Sequence, residues 1–119
     1  MADRQIYRGQ IWLCKLPESK GSVQQKVRPC VIVSNDIGNT FSSIVTVVPI
    51  TTKDKTPLPT HCEIIGESGS KISESLVLCE QLFTLGKGYC FDYLGNCSEQ
   101  EIQNINRCLE ISLGLTTRP

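Results

Sequence analysis

Apolar residues along this chain gather in short runs, most of them β-branched, and polar or Gly/Pro-containing stretches separate them. Ile6–Leu16 alternates loosely, carries Tyr7, Ile11, Trp12 and Leu13, and predicts a strand ending at Pro17. The polar stretch from Pro17 to Lys26 that follows is longer than a tight turn requires and is expected to be a binding loop. Val27–Ser34 and Ile44–Ile50 predict two buried strands, bounded by Asn35–Asn39 and by Thr51–Lys55. Pro29 and Pro49 are expected near strand ends, where a missing amide hydrogen is tolerated. Thr60–Ile65 and Leu76–Leu85 predict two more strands, and Cys90–Leu94 a last short one. The single helix signal lies near the end of the chain. Ser98-Glu-Gln-Glu101 has the form of a capping box, Ile102, Ile105, Leu109 and Leu113 recur at helical spacing, and Gly114 supplies a stop. Five or six short strands followed by one helix predict a mainly β fold with a C-terminal helix, built as a compact SH3-like barrel.

Length changes this picture little: 119 residues suit one domain, 1–119, with one core. No apolar run approaches the roughly 20 residues of a membrane span, and the first ten residues hold no apolar block behind their charges, so a cytoplasmic protein with no membrane partner is expected. Seven cysteines, Cys14, Cys30, Cys62, Cys79, Cys90, Cys97 and Cys108, could in principle bind zinc. None forms a C-x-x-C pair, their number is odd, and most stand in apolar runs such as Arg28-Pro-Cys-Val-Ile-Val33. They are therefore expected to fill the core, with no disulfide, metal or cofactor. Basic and acidic residues balance at 12 each, so any nucleic-acid site has to be local. The basic residues favour the first half, where Arg4, Arg8, Lys15, Lys20, Lys26, Arg28, Lys53 and Lys55 lie.

Several segments together resemble the MazF/PemK/Kid family of type II toxin endoribonucleases, particularly its Gram-positive members. They are Tyr7-Arg-Gly-Gln-Ile-Trp12, Gly21-Ser-Val-Gln24, Val27-Arg-Pro-Cys-Val-Ile-Val-Ser-Asn-Asp-Ile-Gly-Asn39, Val48-Pro-Ile-Thr51, Leu58-Pro-Thr-His-Cys-Glu63 and Ser75-Leu-Val-Leu-Cys-Glu-Gln81. The likeness runs almost the whole chain. It implies the SH3-like barrel of the CcdB/PemK/MazF type and a homodimer. The implied activity is cleavage of single-stranded mRNA at short motifs, without a metal, to 2′,3′-cyclic phosphate and 5′-hydroxyl ends. It also implies a MazE-like antitoxin partner. The family's catalytic arginine and threonine fall on Arg28 and Thr51. Its mobile loop covers Ser22, Gln24 and Lys26, and its RNA-facing strand covers Glu80, Gln81, Phe83 and Thr84, with Lys53 and His61 as further RNA contacts.

The chemistry fits these residue types. RNA carries its own nucleophile, so the enzyme has to align the 2′-hydroxyl, neutralise the phosphorane and protonate the departing 5′-oxygen. A guanidinium at Arg28 matches two phosphate oxygens and stays charged, and Thr51 adds a hydroxyl hydrogen bond. Proton transfer is left open, because His61 is the only histidine and a two-histidine scheme within one subunit is impossible. Two departures stand out: Gln10 where many members have an acid, and Phe83 and Gly86 where many have an arginine and an aspartate. Phe83 in turn could stack on a base. Two other readings share the fold, a CcdB-type gyrase poison and a binding module without catalysis.

Overall fold

The computed structural model describes residues 5–17, 26–52 and 57–116. Among these, the chain forms β1 (Gln10–Leu16), β2 (Lys26–Ile32), α1 (Asp36–Phe41), β3 (Ile44–Thr52), β4 (His61–Ile64), β5 (Ser75–Leu78), β6 (Phe83–Gly86), β7 (Cys90–Asn96) and α2 (Glu99–Ser112). A single turn of 3-10 helix, Lys87–Tyr89, joins β6 to β7. Every pairing is antiparallel, and the strands run in the order β4-β5-β3-β2-β1-β7 with β6 also on β3. The mainly β architecture with a C-terminal helix is as expected.

β3 is the hub. Its first half, Ile44–Val47, pairs with β6, its last residues, Ile50–Thr52, pair with β5, and its middle, Val47–Pro49, pairs with β2. The expected Leu76–Leu85 strand is therefore two strands, because a turn closed by the Gln81 amide on the Leu78 carbonyl (3.0 Å) interrupts it. Pro29 and Pro49 also differ from expectation, since both lie inside strands. Pro49 sits where neither β6 nor β5 is in register with β3, and Pro29 sits where the β2–β3 register has ended at Cys30. A missing amide hydrogen breaks no ladder bond at such places.

Asn35–Asn39 is not a plain loop but the start of α1. The Asn35 side chain accepts from the Gly38 amide at 2.8 Å, which satisfies a helix N-terminal donor. Buried Asn39 then donates to the Ser34 carbonyl (2.8 Å) and accepts from the Ser34 hydroxyl (2.5 Å), which itself accepts from the Thr46 amide of β3 (3.0 Å). At α2 the capping box forms as expected, with Glu101 N to Ser98 Oγ at 3.1 Å and Ser98 N to Glu101 Oε1 at 2.9 Å.

Because side chains alternate along a strand, the bent sheet has two apolar faces. Trp12, Cys14, Cys30, Ile32, Val45, Val47, Leu85 and Cys90 fill the barrel interior. Ile11, Val31, Val48, Ile50, Ile64, Val77 and Cys79 form the other face, covered by Ile105 and Cys108 of α2. Gly9, at φ 89°, allows α2 to close, because a Cβ there would lie 2.7 Å from Ile102 Cδ1.

Candidate active site

Antiparallel register places Lys26, Arg28, Thr51 and His61 on one face. Cys14 of the barrel interior stands opposite Arg28, and Leu16 opposite Lys26, so both basic side chains lie on the barrel face at its rim. On β3, Thr51 has the same parity as Val45 and Val47 and stands opposite Leu76 of β5, which in turn faces Glu63 of β4. One row along, His61 faces Leu78. Arg28, Thr51, Glu63 and His61 thus share one side of the sheet.

Arg28 is half-buried, and its Nη2 donates to the Ile50 carbonyl at 3.2 Å. That single bond brings the guanidinium beside Thr51, the next residue along β3. Thr51 is also half-buried, and its hydroxyl has no hydrogen-bond partner among the described residues. A fixed cation and an adjacent hydroxyl donor at the mouth of a barrel can together hold a phosphodiester oxygen pair.

His61 is placed differently. Its side chain is only 6% exposed. Nδ1 accepts from the Leu58 amide at 3.1 Å and Nε2 lies 3.1 Å from Glu80 Oε2. A nitrogen that accepts must carry the lone pair, so the hydrogen is assigned to Nε2, which donates to Glu80. Thr60 Oγ1 donates to the other carboxylate oxygen at 3.0 Å. Partial desolvation opposes ionisation of Glu80, yet bonds from His61, its own amide and Thr60 outweigh it and hold its carboxyl below the usual carboxylate range. The ring of His61 therefore presents neither nitrogen to RNA as the chain stands. Thr60 went unnoticed in the sequence; only the β4–β5 pairing shows that it and His61 bracket one carboxylate.

Among the other candidates, Lys26 and Gln81 are exposed, and Phe83 packs partly against the barrel core. Thr84, opposite Thr46, alternates to the side away from Phe83 and Arg28. Ser22, Gln24 and Lys53 lie outside the described residues. Gln10 has a clear local role: its Oε1 accepts from the Tyr7 amide (2.8 Å) and from Trp12 Nε1 (3.0 Å), a task a carboxylate would also perform. No helix of the described residues is long and apolar enough to cross a membrane. Six of the seven cysteines are buried and Cys62 is half-buried, as expected for core residues. The sequence did not foretell that Cys62, Cys79 and Cys108 converge.

Comparison with known proteins agrees with the geometry. Residues 7–113 match the model of the PemK-like, MazF-like toxins of type II toxin–antitoxin systems. The chain is 38% identical to endoribonuclease MazF of Staphylococcus saprophyticus over 111 residues, 92% of each chain. Among solved structures it is similar to a mycobacterial endoribonuclease in complex with its cognate antitoxin, at TM-score 0.77 and 30% identity, covering 95% of this chain and 99% of that one. It shares its fold with a MazE–MazF complex from Deinococcus radiodurans, at TM-score 0.74 and 17% identity over 96% of this chain and all (100%) of that one.

Proposed function

Since the chain belongs to the PemK-like, MazF-like toxin family and is an endoribonuclease of a toxin–antitoxin system, we propose that Arg28 and Thr51 form its catalytic pair. The substrate on this reading is single-stranded mRNA, cut at a short motif in the cytoplasm. The 2′-hydroxyl attacks the adjacent phosphorus in line, the 5′-oxygen leaves, and the products carry a 2′,3′-cyclic phosphate and a 5′-hydroxyl. The 2′-oxygen is the nucleophile, so no metal-activated water is needed. Arg28 donates to the non-bridging oxygens as charge builds on the phosphorane, and Thr51 donates to one of them or to the scissile 5′-oxygen. The single observation that carries this reading is the Arg28–Ile50 bond, which holds the guanidinium at the backbone carbonyl just before Thr51.

Glu80, fixed by His61 and Thr60, offers its exposed edge to the amino groups of unpaired bases, and half-buried Phe83 offers a ring for stacking. On the family resemblance, Ser22, Gln24, Lys26 and Lys53 supply phosphate contacts. His61 acts through Glu80 as a positioning residue. The similar mycobacterial enzyme is seen with its cognate antitoxin, and on that likeness a MazE-like antitoxin lies across this face. Two copies of the chain join their barrels into one longer RNA track. A gyrase-poison reading is not favoured, because the matched relatives are endoribonucleases.

Purified chain and Arg28→Ala, incubated in EDTA with a long unstructured RNA, test the assignment. Discrete cuts by wild type alone, each leaving a 5′-hydroxyl, are the expected result. Equal cutting by the variant, or fragments with 5′-phosphates, would refute it.

A further inference from the structure

Three thiols from three separate elements meet beneath the β4–β5 pair. Cys62 comes from β4, Cys79 from the residue after β5 and Cys108 from the third turn of α2, and their sulfurs all lie within 4.8 Å of one another. Cys79 is fully buried, Cys108 is 7% exposed, and half-buried Cys62 gives the cluster its way in from solvent. No imidazole or carboxylate joins them among the described residues. Their surroundings are Ile64, Val77 and Ile105 of the helix-covered core.

We propose that Cys62, Cys79 and Cys108 form a binding site for a trivalent thiophilic centre of the arsenite class, held by three sulfurs. Three soft donors in an apolar pocket select soft, sulfur-seeking centres over hard oxygen-seeking ones. Charge then separates the soft candidates. A monovalent copper or divalent zinc ion on three thiolates would leave net negative charge in the core, and zinc would also lack its fourth ligand. Trivalent arsenic on three thiolates is neutral. In the binding step three S–H and three As–O bonds break, three As–S bonds form, and arsenous acid leaves its three oxygens as three waters. No electron is transferred and no proton is released.

The resting state of the cluster agrees with this. The hydrogen bond with Cys79, then desolvation, pushes the Cys62 thiol far up. Burial, then the charge Cys62 would carry, pushes Cys108 up to about 12. The Cys108 thiol donates to the His61 carbonyl at 3.4 Å. The Cys62 and Cys108 thiols are thus protonated at neutral pH, as an exchange of S–H for As–S that expels water requires. Cys62 follows His61 and Cys79 precedes Glu80 in sequence, so the adduct would staple β4, β5 and α2 directly under that pair.

The test is titration of reduced, full-length protein with arsenite, read by native mass spectrometry and by thermal melting. One adduct per chain is expected, heavier by one arsenic less three hydrogens, with a raised melting temperature. Cys62→Ala, at the half-buried position, and Cys108→Ala should each weaken binding at least tenfold and abolish the thermal shift. The Cys14→Ala/Cys90→Ala double variant, which removes the other close thiol pair (3.4 Å), should keep both. Absence of the adduct in wild type overturns the proposal. So does an adduct that survives both cluster variants or disappears in the double variant. RNA cleavage enters neither readout, so this result stands apart from the catalytic assignment.

Discussion

The two polar clusters on the barrel face are built in opposite ways. Arg28 and Thr51 stand on regular strands, anchored by backbone ladders and one bond to the Ile50 carbonyl, and their polar groups are little used by the described residues. His61, Glu80 and Thr60 form a closed set in which each ring nitrogen and each carboxylate oxygen has a partner. A group whose hydrogen bonds are satisfied inside the fold contributes to holding shape. A group held in place with donors to spare is available to a substrate. The comparison assigns chemistry to the first cluster, and to the second a positioning role in which only the exposed edge of Glu80 is left for bases.

Substitutions can break that division, beginning with the largest effect. Arg28→Ala should lower the cleavage rate about 10²- to 10³-fold, as loss of one transition-state donor does, while thermal melting changes little. His61→Ala should cost about 0.5–1.5 kcal/mol of stability, since the Leu58 amide and Glu80 lose a hydrogen-bond partner, and cleavage by the folded fraction should fall by less than tenfold; urea titration alongside single-turnover kinetics reads both. Thr51→Val, nearly equal in shape, should slow cleavage about tenfold for a lost hydroxyl donor and leave the urea midpoint in place. The smallest effect is a pH dependence. Glu80 is ionised more readily in the fold than in the unfolded chain, so its contribution is full above the ordinary glutamate value of about 4.3 and fades as pH falls through its lower native value. The stability gap between wild type and Glu80→Gln should begin to narrow as pH falls below about 4.3, the ordinary glutamate value. A gap that widened with acid would contradict the pairing.

Much of this was legible in the sequence where a local rule decides. Ser98 and Glu101 marked the start of α2 because a capping box is a short-range contact, and Gly114 marked its end with a φ of 72°. The β-branched runs marked the strands. Elements decided by distant partners were not readable. α1 is six residues long, and its Asn39 is fixed by Ser34 and Asp36 rather than by any periodic pattern. Pro29 and Pro49 are tolerated mid-strand only because their neighbours change at those positions. The site divides in the same way. Arg28 and Thr51 were visible through family resemblance, whereas the closure of His61 on Glu80 and the meeting of three cysteines depend on which strands pair.

The most direct test of the division is a paired measurement on Arg28→Ala and His61→Ala: single-turnover RNA cleavage in EDTA and a urea unfolding curve on the same preparations. Arg28→Ala should keep its unfolding midpoint and lose at least a hundredfold in rate, whereas His61→Ala should shift its midpoint downward and keep most of its rate. A His61→Ala protein that is fully folded and as inactive as Arg28→Ala would contradict the account, because it would place the histidine in the chemistry.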